Sequence, residues 1–228
     1  MQLEKRKLSI SASSCIRYNV DMQFRGLFTN PLKRKSILFC DFDGTICFDR
    51  YWRSLPPAKY EKVQGLLFGK DTTRGNDWMR GKYTAEEINE WVSKEIGVSY
   101  EKLWQLFVED CRTMRVAQET LETLSHLRGR YTVILMTGNM DSFTRFTVPR
   151  LNLANYFDYI SNSYYEGKHK TDNNGKIFEE YAIKYDALLT ECIVIDDSPD
   201  VCSTFERLGG KVCHITSDQN IESYLMQL

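Results

Sequence analysis

The run Ile37-Leu38-Phe39-Cys40 is apolar at every position and stops at Asp41-Phe42-Asp43-Gly44-Thr45. Side chains alternate faces along a strand, so a run that is apolar on both faces has to be covered on both. This requirement puts the run inside a sheet with helices on each side. It also leaves two carboxylates where a buried strand ends. On continuing strand geometry Asp41 and Asp43 share a face, and Gly44 lets the chain turn away at once. Like charges that close repel, and a hard divalent cation with a phosphate ester answers the repulsion best.

The pattern recurs along the chain. Tyr131 to Met136 is a second apolar run, ending at Thr137-Gly138-Asn139. Cys192-Ile193-Val194-Ile195 is a third, running into Asp196-Asp197-Ser198-Pro199. Shorter strands are expected at Phe157 to Ile160 and Val212 to Ile215. Helical spacing occupies the intervals: Leu121, Leu124 and Leu127; Phe143 to Val148, stopped at Pro149; Ile177 to Ala187; Val201 to Leu208; and Ile221 to Leu228. Strands that alternate with helices predict an α/β fold, a doubly wound parallel sheet of Rossmann-like type. In such a sheet the carboxyl ends of the strands share one edge, and ligands bind where the strand order reverses.

Between Cys47 and Arg115 only helical signals occur. Pro56-Pro57 opens one helix toward Phe68. Thr84-Ala85-Glu86-Glu87 is a capping box ahead of Ile88, Trp91, Val92 and Ile96. Leu103, Leu106 and Phe107 mark another helix. The expected organisation is therefore a basic N-terminal extension over 1–36, an α/β core over 37–46 and 116–228, and an inserted helical cap over 47–115.

Composition narrows the partners. The formal charge of −1 gives no argument for nucleic acid or an anionic membrane, and no apolar run approaches a membrane span. The seven cysteines are scattered and form no C-x-x-C, as expected of reduced thiols in a cytoplasmic setting. The three histidines make no zinc-like spacing. His169, near a candidate lysine, is read as a solvated loop residue with substrate contact as the alternative. Within the first 36 residues Lys5, Arg6, Lys7, Arg17, Arg25, Lys33, Arg34 and Lys35 face only Glu4 and Asp21. That composition fits a disordered tail or an organelle-targeting peptide.

The strand ends then carry a chemistry. Asp41 is placed to attack phosphorus and form an aspartyl-phosphate. Asp41 and Asp197, with the Asp43 carbonyl, suffice for Mg2+, which leaves the Asp43 side chain as general acid and later general base. Thr137 can hydrogen-bond a phosphoryl oxygen, and a lysine, Lys168 or Lys170, can balance developing charge.

These motifs resemble those of the haloacid dehalogenase superfamily of phosphatases, over about Ile37 to Ile215. The first is D-x-D-x-T (Asp41, Asp43, Thr45), the second Thr137, and the fourth the acidic pair Asp196 and Asp197. The third is a lysine commonly found in G-x-x-K-P-D, which puts Lys170 in register although Thr171 departs from the usual proline. The resemblance implies Asp41 as nucleophile, Asp43 as acid/base and Asp197 as direct metal ligand, with Asp196 behind it. Thr45, Gly138 and Asn139 are expected to line the substrate. It also implies the phosphatase branch, since true dehalogenases lack the second aspartate, and a mobile cap of the family's C1 type that selects a small phosphorylated metabolite. Arg50, Arg53, Arg74 and Arg80 are candidates to read a substrate carboxylate or second phosphate, and Trp52, Trp78 and Trp91 to stack on a base or sugar. Transfer to a hydroxyl in place of water, as in a phosphotransferase or mutase, stays open, as does a non-catalytic binding protein on the same fold.

Overall fold

A computed structural model describes residues 34–228; the expected basic extension lies almost wholly outside them. Strand β1 (Ser36–Cys40) is central, followed by β2 (Tyr131–Thr137), β3 (Tyr159–Asn162), β4 (Ile193–Asp196) and β5 (Lys211–His214). All pair in parallel in the order β3-β2-β1-β4-β5. The chain builds outward from β1 on one side and then returns to the other, so the order reverses between β1 and β4. Asp41 extends that seam, its N–H donating to the Ile195 carbonyl at 2.9 Å.

Alternation along β1 divides the core in two. Ile37 and Phe39 face a layer with Ile134, Met136 and Val194. There Phe39 meets Phe178 and Phe205 edge-on at 5.1 and 5.8 Å. These rings belong to α6 (Lys176–Lys184) and α7 (Pro199–Arg207), counting helices in chain order. Leu38 and Cys40 face the opposite layer with Val133, Leu135, Ile193 and Ile195. That side is covered by α5 (Gln118–Leu127), α8 (Ile221–Leu225) and the inserted helices.

The insertion comprises α1 (Pro57–Phe68), α2 (Thr73–Met79), α3 (Ala85–Ile96) and α4 (Tyr100–Arg112). Helix α3 starts as expected, with Thr84 and Glu87 in a reciprocal capping box. The insertion has its own aromatic centre of Trp52, Trp78 and Phe107, all without exposed surface. Trp52 holds a φ of 57°. A left-handed tryptophan is strained, and here burial of the indole and its bond to Asn89 Oδ1 at 2.9 Å offset the cost.

Some expected elements shift. Phe143–Thr147 is a π-helical turn in place of an α-helix, with the Val148 N–H reaching back to the Phe143 carbonyl. Pro149 has no N–H and its ring crowds the carbonyl four residues earlier, so the turn ahead of it widens. Strand β3 begins two residues later than expected, because Phe157 packs in the core and Asp158 binds the Val133 N–H at 2.9 Å. Among the described residues, no helix is long and apolar enough to cross a membrane.

Candidate active site

The ends of β1, β2 and β4 meet on one edge. Carboxylate oxygens of Asp41, Asp196 and Asp197 lie within 4.8 Å of one another. Lys170 reaches into this group from the loop after β3. Its ammonium stands 2.9 Å from Asp41 Oδ1 and donates to Asp196 Oδ2. Burial disfavours that charge, but Asp41 and Asp196 more than compensate and the lysine pKa is raised. Lys168, the rival lysine, pairs with Glu180 on α6. The register argument for Lys170 therefore agrees with the geometry.

The carboxylates are differently occupied. Asp196 is 1 % exposed. Its Oδ2 takes Lys170 and its Oδ1 accepts the Ser198 N–H at 2.9 Å, so both oxygens are committed. Asp197 is half-buried and packs against Gly44, where a Cβ would come within 2.2 Å of its Oδ2. Gly44 also has φ +80°, a conformation other residues resist. The glycine of the motif thus makes room for the Asp197 carboxylate as well as turning the chain.

Burial pushes the Asp41 carboxyl upward against the pull of Lys170, and raises Asp197 with help from Asp196. Three carboxylates therefore face one ammonium. Hard oxygen donors at this spacing, with Asp197 not committed to Lys170, fit Mg2+ well. Asp41 and Asp197 would hold such an ion, with Asp196 fixing Lys170 beside it.

Asp43 sits apart from this cluster. Burial lifts its pKa to about 6, against the pull of Arg50 and the Asn139 amide. Asn139 Nδ2 donates to Asp43 Oδ2 at 2.6 Å and to the Thr137 hydroxyl at 3.3 Å. Tyr51 donates to Asn139 Oδ1 at 2.6 Å, and the Asn139 N–H donates to Ser163 Oγ at 3.0 Å. Sequence places Asn139 against substrate; here it lines the second hollow, and its amide also holds Asp43 and Tyr51. Tyr51 does not stand out in the sequence, where an aromatic beside Trp52 reads as core.

Two hollows open on either side of Asp43. One, of about 460 Å3, is lined by Asp41, Lys170, Asp196, His169, Arg80 and Ser198, among others. The other, of about 320 Å3, is lined by Arg50, Tyr51, Gln64, Phe68, Met79, Asn139, Met140 and Asp197. Asp43, Met79 and Gly138 belong to both. Thr137 is buried and lines neither hollow; its hydroxyl meets Asn139. Thr45 is fully buried and lines a separate hollow with Phe48 and Ile221. Trp52 and Trp78 lie in the core of the insertion and Trp91 lies under Arg74 at 4.1 Å, so none stacks in either hollow. Arg53 binds the Asp110 carbonyl and Thr113, and Arg80 forks onto Asp172 at 2.8 and 3.1 Å.

A profile of the haloacid dehalogenase-like hydrolases matches residues 35–209. The chain belongs to that family. Solved structures of family members share its fold. A HAD-family enzyme from Bacteroides thetaiotaomicron, solved with magnesium and inorganic phosphate, is 17% identical with a TM-score of 0.65, over 83% of this chain and 98% of that one. A HAD-like hydrolase from Porphyromonas gingivalis is 20% identical with a TM-score of 0.66, over 85% and 97%. A 2-haloacid dehalogenase from Pseudomonas syringae pv. Tomato DC3000 is 17% identical with a TM-score of 0.52, over 78% and 85%. No curated protein sequence matches significantly. At these identities the likeness is one of fold, and this HAD-like hydrolase has to be read from its own residues.

Proposed function

We propose that this HAD-like hydrolase is a phosphatase of small phosphate monoesters. The observation that carries the reading is the position of Asp43, on the wall between the Asp41–Lys170 hollow and the second hollow. An ester lying across that wall presents phosphorus to Asp41 and its bridging oxygen to Asp43. The Asp41 carboxylate forms a bond to phosphorus as the P–O bond to the alcohol breaks, and Asp43 gives its proton to the departing oxygen. Asp43 then takes a proton from water. The water oxygen bonds to phosphorus, the aspartyl-phosphate bond breaks, and Asp41 returns as a carboxylate with inorganic phosphate released. Lys170 offsets charge on the phosphoryl oxygens throughout. Asp41 and Asp197 would hold a divalent ion, which would supply further positive charge there and keep both carboxylates ionised.

Dehalogenases share the fold, but a departing halide needs no proton. A half-buried carboxyl with a pKa near 6, lining the same hollow as the nucleophile, suits an oxygen leaving group instead. Residues 47–115 are read as the cap over this site, and the buried thiols Cys40, Cys47 and Cys111 as those of a protein in a reducing, cytoplasmic setting.

The deciding experiment is release of inorganic phosphate from 4-nitrophenyl phosphate by the full chain. Turnover is expected with Mg2+, lost on chelation, and reduced more than about a thousandfold in Asp41→Asn with the fold intact by circular dichroism. Halide release from 2-chloropropionate without phosphate release would overturn the reading.

A further inference from the structure

The second hollow has one feature the reaction leaves unused. Arg50 lines it and is exposed, and among the described residues its guanidinium meets only the neighbouring Asp49 carbonyl, at 3.2 Å. The other arginines of the insertion near the site are committed: Arg53 to Asp110 and Thr113, Arg80 to Asp172, and Arg74 to the faces of Trp91 and Tyr83. Arg50 lines this hollow together with Asp43 and Asp197, and its charge pulls both carboxyls down against the effect of burial. These two carboxylates are also the hollow's other charged groups, and both are engaged. Asp43 holds Asn139 and serves the leaving oxygen, and Asp197 faces the metal position. Among the described residues that line this hollow, Arg50 is therefore the one charge without a role, and it is cationic.

From this we infer that the alcohol part of the substrate carries a second anionic group, a carboxylate or a second phosphate, which Arg50 binds. The inference rests on the phosphatase reading, and it names the substrate class of that same site. The cleaved phosphoryl group occupies the Asp41–Lys170 hollow, and Asp43 on the shared wall fixes where the leaving oxygen sits. The remainder of the alcohol must then enter the hollow of about 320 Å3, roughly ten water volumes. That space suits a short chain of a few carbons. Gln64 adds an amide beside Arg50, while Phe68, Met79 and Met140 give an apolar wall for the carbon stem. A second anion placed here without Arg50 would face Asp43 and Asp197 unscreened. A guanidinium forks onto carboxylate and phosphate alike.

Matched ester pairs test this. The carboxylate pair is 3-phosphoglycerate against glycerol 3-phosphate. The phosphate pair is 1,3-propanediol bisphosphate against 3-hydroxypropyl phosphate. A charge-assisted contact should favour the doubly anionic member of one pair by about ten- to a hundredfold in kcat/KM, chiefly through KM. Which pair discriminates identifies the anion. Arg50→Met should bring that ratio to within about threefold of unity, and Arg50→Lys should restore part of it. Arg74→Met, outside the hollow, should leave the ratio as in the parent. The ratio is internal to each variant, so a general loss of activity does not distort it. Absence of preference in both pairs, or a preference that survives Arg50→Met or is lost equally in Arg74→Met, overturns the inference alone. Failure to release phosphate from all four esters and from 4-nitrophenyl phosphate overturns the phosphatase reading and this inference with it.

Discussion

Gly44→Ala separates two roles that one glycine performs. The first cost is conformational: an alanine held at φ +80° pays about 1–2 kcal/mol for left-handed backbone. The second is steric. The new Cβ would lie 2.2 Å from Asp197 Oδ2 and 2.6 Å from its Cγ, so the carboxylate must retreat by roughly 1 Å to reach normal contact. A misplacement of that size at a reacting centre can cost on the order of a hundredfold in rate. Gly97→Ala is the matched control. Gly97 has φ +62° and open space where a Cβ would go, so it carries the backbone cost alone. Both variants should melt about 2–8 °C lower, from about 2–4 °C per kcal/mol for a chain of this size. Only Gly44→Ala should lose turnover of 4-nitrophenyl phosphate, with a raised Mg2+ concentration for half-activation. If Gly44→Ala keeps the parent's Mg2+ response, or if Gly97→Ala loses it equally, Asp197 is not the metal ligand that Gly44 accommodates.

Three further outcomes follow from the same geometry. Asp43 must be protonated to serve as acid and has a folded pKa of about 6; kcat/KM for an alkyl phosphate should therefore fall as pH rises through about 6, and Asp43→Asn should lower the rate and erase that limb. Lys170→Met leaves buried Asp41 and Asp196 facing each other without their cation; removal of one partner from a buried pair costs about 3–5 kcal/mol, so melting should fall by about 6–20 °C, and an unchanged melting temperature would show that the lysine is not buried against them. The Arg80 guanidinium holds the Asp172 carboxyl below its usual pKa; that stability is present above the unfolded-state pKa and lost as pH falls through the folded one, so Asp172→Asn should flatten the acid side of a melting-temperature profile, by no more than about 1 kcal/mol for so exposed a pair.

What could be read in the sequence was whatever local rules enforce. The strands β1, β2 and β4 are apolar on both faces and end on polar residues, so their place and the gathering of Asp41, Thr137 and Asp197 at one edge followed from burial alone. The Thr84–Glu87 box announced α3 for the same kind of reason. Helix α2 was not legible: Gly75, Asn76 and Asp77 are poor helix formers. It forms because Trp78 is drawn into the core of the insertion and its indole binds Asp141 at 2.9 Å. Lys168 and Lys170 were separated in sequence only by the G-x-x-K register, and the fold gives the first to Glu180 and the second to Asp41. The tryptophans and arginines of the insertion were ambiguous likewise, since composition does not say which of them face inward. Tyr51 and Asn139 form a pair 88 positions apart, a separation no local pattern reports.

The contacts that join the insertion to the rest of the fold are unequal. Asp141 is 3 % exposed and accepts from the Trp78 indole, the Ala85 N–H at 3.2 Å and Arg145 at 2.8 Å. Each hydrogen bond to a buried charge is worth about 1.5–3 kcal/mol, so this junction resists opening. The Arg80–Asp172 pair, with side chains 29% and 28% exposed, contributes about 0–1 kcal/mol. Of the two, the Arg80–Asp172 pair at the rim of the larger hollow is the weaker link. Asp172 also accepts the His169 N–H at 2.9 Å, next to Lys170. The weaker contact is thus the one that braces the lysine loop: a single carboxylate, Asp172, takes both Arg80 of the insertion and the backbone next to Lys170.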